Sequence, residues 1–72
     1  MKKVLLIAGG GTLGRYTAKE LLRKGYKVDI VCHADEMSSE ENLRYFKAHV
    51  DIDYLENLFS QTHYDGIVNF IP

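Results

Sequence analysis

The sequence predicts an α/β fold, a partial doubly wound parallel sheet of about four strands with helices packed on it. Three observations carry that prediction. Val4-Leu5-Leu6-Ile7-Ala8 is a short apolar run with no polar face, as suits a strand covered on both sides. A segment of helical period, Thr12 to Lys24, follows it across a run of glycines. A second helical segment then precedes another apolar run, Ile67-Val68-Asn69-Phe70-Ile71. Strands that alternate with helices call for parallel crossovers and an open sheet.

The elements follow in order. In the first helix Leu13, Thr17, Ala18, Leu21 and Leu22 recur at helical spacing, while Arg15, Lys19, Glu20 and Arg23 fall mainly on the other side. Arg23 and Lys24 occupy the last turn, and Gly25 is placed to stop it. Tyr26 to Cys32 reads as the second strand, rich in β-branched residues and interrupted by Asp29. Ala34 to Asn42 is polar, and Ser38 or Ser39 ahead of Glu40-Glu41 suits either a short helical turn or a loop. Leu43 to Val50, with Tyr45, Phe46 and Val50, reads as the third strand. Asp51 or Asp53 caps a helix running to about Thr62, with Leu55, Leu58 and Phe59 as its buried stripe. His63-Tyr64-Asp65-Gly66 is a turn into the fourth strand, whose apolar residues would lie near the middle of a larger sheet.

A chain of 72 residues makes one small domain at most. A chain of this size buries only about 60% of its unfolded surface, so its core is marginal without help. Disulfides do not supply that help, because Cys32 is the only cysteine. Nor do His33, His49 and His63 have zinc-ligand spacing with it. Residues 1–72 therefore read as the N-terminal portion of an incomplete domain, whose exposed sheet a homo-oligomer or a further C-terminal region would cover. Nine basic residues against ten acidic ones exclude a nucleic-acid or membrane partner recruited by charge. The first apolar run stops after five residues, far short of a signal-peptide core or a membrane span, so a cytoplasmic chain is expected.

Gly9-Gly10-Gly11-Thr12-Leu13-Gly14 fits G-x-G-x-x-G between a buried strand and an amphipathic helix, the context in which that hexamer carries meaning. Glycine removes the β-carbon where the backbone must approach a pyrophosphate, and the amides at the helix N-terminus meet its charge. No Gly-Lys-Ser/Thr follows, which excludes a Walker-type loop. The residue that reads the adenosine ribose should lie about 20 residues on. That count reaches Cys32 and His33, with Asp35 slightly late. Two readings stand open: a 2′-phosphate met by His33 with Arg15 nearby, or Asp35 reaching back to the ribose hydroxyls. Cys32 itself reads as a small buried hydrophobe.

Residues Val4 to Arg15 resemble the opening of the NAD-dependent epimerase/dehydratase family, the extended short-chain dehydrogenases. Lys19-Glu20-Leu21-Leu22, Gly25, Val50-Asp51-Ile52 and Tyr64-Asp65-Gly66-Ile67-Val68 continue the resemblance. It implies a Rossmann-like sheet and NAD or NADP as cofactor. It implies that Gly9, Gly11 and Gly14, with Thr12 between them, hold the pyrophosphate and that Leu13 packs beside it. Asp51 would meet the adenine, with His49 or Asp53 as the shifted equivalent, and Asn69, Phe70 and Ile71 would line the cofactor. The activity implied is that of an oxidoreductase on a nucleotide sugar or similar carbonyl compound. The alternative is a non-catalytic NAD(P)-sensing or protein-interaction module. Two departures bear on this. Ala8 stands where the family's loop has glycine, and none of the five tyrosines has a lysine four residues on, so the family's Tyr-x-x-x-Lys pair is not within these residues.

Overall fold

The computed structural model describes residues 2–8, 11–33 and 39–71. Four strands and two helices follow one another as β1 (Lys3–Ile7), α1 (Thr12–Arg23), β2 (Lys27–Cys32), β3 (Leu43–Lys47), α2 (Ile52–Gln61) and β4 (Gly66–Asn69). All pairings between these strands are parallel, in the order β3-β2-β1-β4. The sheet is thus the partial doubly wound, Rossmann-like arrangement that the alternation of elements predicts. The boundaries differ in detail. Ala48, His49 and Val50 lie beyond the end of β3, Tyr26 lies just before β2, and Phe70 and Ile71 lie past β4. Of the polar stretch, residues 34–38 lie outside the described residues. Glu40 forms a short antiparallel bridge with Leu43, and no helical turn forms at 39–42.

Alternation along each strand sends successive side chains to opposite faces, and the two faces meet different helices. On one side Val4 and Leu6 of β1 join Val28, Ile30 and Leu43, with Ala18 of α1 and the partly buried Leu21 and Leu22 packed on them. On the other, Leu5, Ile7 and Val31 meet Tyr54, Leu55 and Leu58 of α2, together with Phe46 and Tyr64. Leu5 and Leu6 are both fully buried although adjacent in sequence, which only a strand covered on both faces allows. Each such burial contributes about 1.5–3 kcal/mol. Gly14 and Ala18 are the buried positions of α1, so small residues let that helix lie close to the sheet.

One expectation about the helices needs correcting. Phe59 is exposed, and Tyr54 joins Leu55 and Leu58 in the partly buried stripe of α2. The reason is angular. Residues 54, 55 and 58 form one i, i+1, i+4 patch, and position 59 falls at its margin, where its ring meets that of Tyr64 edge to face at 6.2 Å. Leu13 stands 67% exposed on the first turn of α1.

The helix ends follow from local chemistry. Gly25 adopts φ +92°, the left-handed conformation in which a side chain is strained, and its N–H donates to the Leu22 carbonyl at 3.0 Å. Asp51 caps α2, its Oδ1 accepting from the Tyr54 N–H at 2.8 Å. Asp51→Ala is expected to cost about 1 kcal/mol of stability, measured by urea unfolding.

Ala8 also lies in the left-handed region, at φ +61°, immediately after β1. Its N–H is fixed by the Val31 carbonyl at 2.7 Å, so the sheet imposes this conformation. An L-residue with a β-carbon bears about 1–2 kcal/mol of strain there. Ala8→Gly relieves that strain and adds some freedom to the unfolded chain. A net gain of about 0.5–1 kcal/mol, seen as a higher thermal midpoint, is the expected result.

Candidate functional site

β1 is the pivot of the sheet. The chain leaves it through α1 to β2 on one side, and α2 returns it to β4 on the other. The carboxyl ends of β1 and β4 therefore border the point where the strand order reverses, the usual ligand crevice of an open α/β sheet. The N-terminus of α1 opens at that edge. Gly11 is its N-cap residue, and the first intrahelical bond runs from the Arg15 N–H to the Gly11 carbonyl at 2.9 Å. No side chain caps this end and no acid sits in its first turn. The helix thus presents its leading amides, and their partial positive charge, to whatever occupies the crevice.

Gly11 itself is informative. Its backbone is extended, at φ −79° and ψ −178°, a conformation open to every residue. A β-carbon built there would meet nothing within 4 Å. Neither backbone strain nor internal packing demands glycine at this position. The space around its α-carbon is open, at the residue that caps the helix N-terminus. Thr12 and Leu13 are exposed at the same mouth, and Gly14 is buried beneath it. Gly9, the first glycine of the motif, lies outside the described residues.

His33 follows β2 and is exposed, whereas Cys32 before it is buried. Across the strand boundary His49 follows β3, also exposed, with the two rings edge to face at a centroid distance of 6.2 Å. Asp51 sits at this end of the molecule too, but its carboxylate serves the α2 cap, and Asp53 lies in that helix's first turn. Asn69 ends β4 in register with Ile7, and its side-chain oxygen accepts from the Ile71 N–H at 2.9 Å. Phe70 is half-buried on the α1 side and Ile71 is exposed. Arg15 stands on the exposed side of α1.

A separate polar cluster lies beneath α2 and was not singled out from the sequence. Asp29, only 1% exposed, accepts from Arg44 Nε at 3.0 Å, from Arg44 Nη2 at 2.7 Å and from the Tyr64 hydroxyl at 2.6 Å. The register of β2 with β3 places Asp29 directly beside Arg44, and the guanidinium also lies 5.2 Å above the Phe46 ring. Burial opposes the charge on Asp29, yet the bonds from Arg44 and Tyr64 and the charge of Arg44 outweigh it and hold its carboxyl below the ordinary range. The Tyr64 phenol is pushed upward by its burial and by its bond to that carboxylate. The trace of this cluster in the sequence is the single acid inside an otherwise apolar strand. The cluster joins β2, β3 and the segment after α2, and so holds the sheet rather than the crevice.

Among the described residues, no group of three or more His, Cys, Asp and Glu is placed to hold a metal ion. No helix among them is long and apolar enough to cross a membrane.

No protein-family profile matches the chain. It is similar to a UDP-glucose 4-epimerase from Cyamopsis tetragonoloba, with 31% identity over 81 aligned positions. That alignment covers 93% of this chain and 23% of the relative, so the chain spans less than a quarter of the relative's length.

Proposed function

We propose that the chain binds NAD or NADP at the carboxyl edge of its sheet, as the cofactor-binding segment of an epimerase/dehydratase-like oxidoreductase acting on a nucleotide sugar or similar carbonyl compound. The observation that carries this reading is Gly11: a glycine that the fold itself does not require, in front of an uncapped helix N-terminus. The similarity to a UDP-glucose 4-epimerase supports the substrate class.

The nicotinamide, when bound, supplies hydride transfer. The residues of this chain bind and orient. The leading amides of α1 take the pyrophosphate charge, and Gly11 leaves the approach open. Gly14 and Ala18 seat the helix close to β1 and β2, which fixes where those amides point. Leu13 offers an exposed apolar side chain beside the phosphates, and Asp51 faces the adenine end with the carboxylate oxygen that the cap leaves over.

Titration of the polypeptide encoded by the complete reading frame with NADH and NADPH, read by nucleotide fluorescence, tests the proposal. Saturable binding is the expected result. Its absence at millimolar nucleotide would end the cofactor reading. A second reading, a protein-interaction module, is favoured by a different observation: Ile67, Val68 and Ile71 at β4 stand 39–50% exposed. Assembly that proceeds without nucleotide would support it.

A further inference from the structure

We propose that the amino-terminal end of the sheet carries a binding site for a divalent oxyanion of the phosphate class, built by Lys3, Lys27 and Arg44. A cavity of about 220 Å³, open to solvent, lies there, lined by those three residues with Asn42 and Asp29. Lys3 and Lys27 are the first residues of β1 and β2, and Arg44 is the second of β3. The cavity is therefore at the end of the strands opposite the crevice at the mouth of α1, and the inference does not rest on the dinucleotide reading.

Strand register brings the charges together. Lys3 stands beside Lys27 in the pairing of β1 with β2, and Asp29 beside Arg44 in that of β2 with β3. Lys27 and Asp29 are two residues apart, so alternation puts all three cations on the α2 side of the sheet. Like charges in register on one face repel. The acids close by are engaged elsewhere. Asp29 already accepts from Arg44 Nε and Nη2 and from the Tyr64 hydroxyl. Asp65 accepts from the Lys3 backbone N–H through Oδ2 and faces His63 through Oδ1. Among the described residues neither lysine ammonium has a hydrogen-bond or ion-pair partner.

The donor set suits phosphate. Each ammonium offers three N–H donors, and the Asn42 amide offers two more. Arg44 is fixed by Asp29 and by its place above the Phe46 ring, yet half of its side chain stays exposed, so its charge is positioned in advance. A water takes about 30 Å³, so the cavity has room for a tetrahedral oxyanion with waters around it. Three cations against one carboxylate leave an excess of two positive charges along its lining, which a divalent anion cancels. Such binding also removes the repulsion between Lys3 and Lys27 and so adds to stability.

Calorimetric titration of the complete polypeptide with inorganic phosphate at fixed ionic strength, with thermal unfolding alongside, tests the site. Saturable binding in the millimolar range and a higher thermal midpoint are expected, and chloride at the same ionic strength should produce neither. Lys3→Gln and Lys27→Gln should each weaken phosphate about tenfold, while Lys27→Arg retains it. Without phosphate both glutamine variants should unfold at the temperature of the unsubstituted chain or above it, because the repulsion is gone. Lysines that serve only the fold would instead lower that temperature and leave phosphate affinity unchanged, which overturns the inference. So does the absence of binding, an equal stabilisation by chloride, or phosphate that Gly11→Ser displaces and the lysine variants do not.

Discussion

Arg44→Ala is expected to remove about 3 kcal/mol of folding stability, as much as the whole core of a chain this small supplies. The argument is one of asymmetry. Arg44 is half exposed and loses little by being absent, whereas Asp29 is left ionised in the interior with the Tyr64 hydroxyl as donor and the more distant charge of Lys3. Stranding one member of a buried pair costs about 3–5 kcal/mol, and the exposure of Arg44 to solvent places this case at the low end. Replacing Asp29, Arg44 and Tyr64 together by Val, Leu and Phe should recover most of the loss, because the desolvation of the charge disappears along with its partners.

The same cluster sets a pH dependence of definite sign. The Asp29 carboxyl lies lower in the folded chain than in the unfolded one, so its contribution is complete above about pH 4 and is lost as the pH falls through the folded value. Arg44→Ala reverses the sign. With its main counter-charge gone, burial becomes dominant and raises the Asp29 pKa, so acidification from neutrality should stabilise the variant relative to its own value at pH 7. Urea unfolding between pH 7 and pH 2 measures both slopes. Parallel slopes in the two proteins would show that Asp29 is not a charged partner of Arg44 in the native state.

Gly11→Ser is expected to act in opposite directions on stability and on binding. Serine is a preferred N-cap residue, and the backbone at Gly11 accepts it without strain, so α1 should gain a few tenths of a kcal/mol. The added side chain, however, enters the space in front of the helix amides, where the cofactor's phosphates are proposed to sit. Nucleotide affinity should fall about tenfold or more, the equivalent of one lost hydrogen bond to a charged group. A purely structural glycine would show the reverse pattern, lost stability with unchanged binding. Thermal unfolding and nucleotide titration on the same preparation distinguish the two.

Most of the architecture was legible because local pattern and global fold agree. An apolar run such as Val4 to Ile7 has no polar face to turn outward, so it specifies a strand inside a two-sided sheet. Glycine at position 25 and aspartate at 51 end and start helices by chemistry that acts within a few residues. The limits of reading appear where a side chain's fate depends on partners distant in the chain. Phe59 fits the periodicity of a buried stripe, and only the packing of α2 on the sheet shows that it stays exposed.

The sequence by itself determined the order and kind of the elements, the glycine motif at residues 9–14 and the resemblance that suggests a dinucleotide. Those features are written in spacing, which a chain carries before it folds. The tertiary structure alone decided which side chains Asp29 and His33 meet. Asp29 meets Arg44 and Tyr64 from 15 and 35 residues away, and His33 faces His49 only because β2 and β3 lie side by side. Strand register creates such pairings, and no local periodicity encodes it.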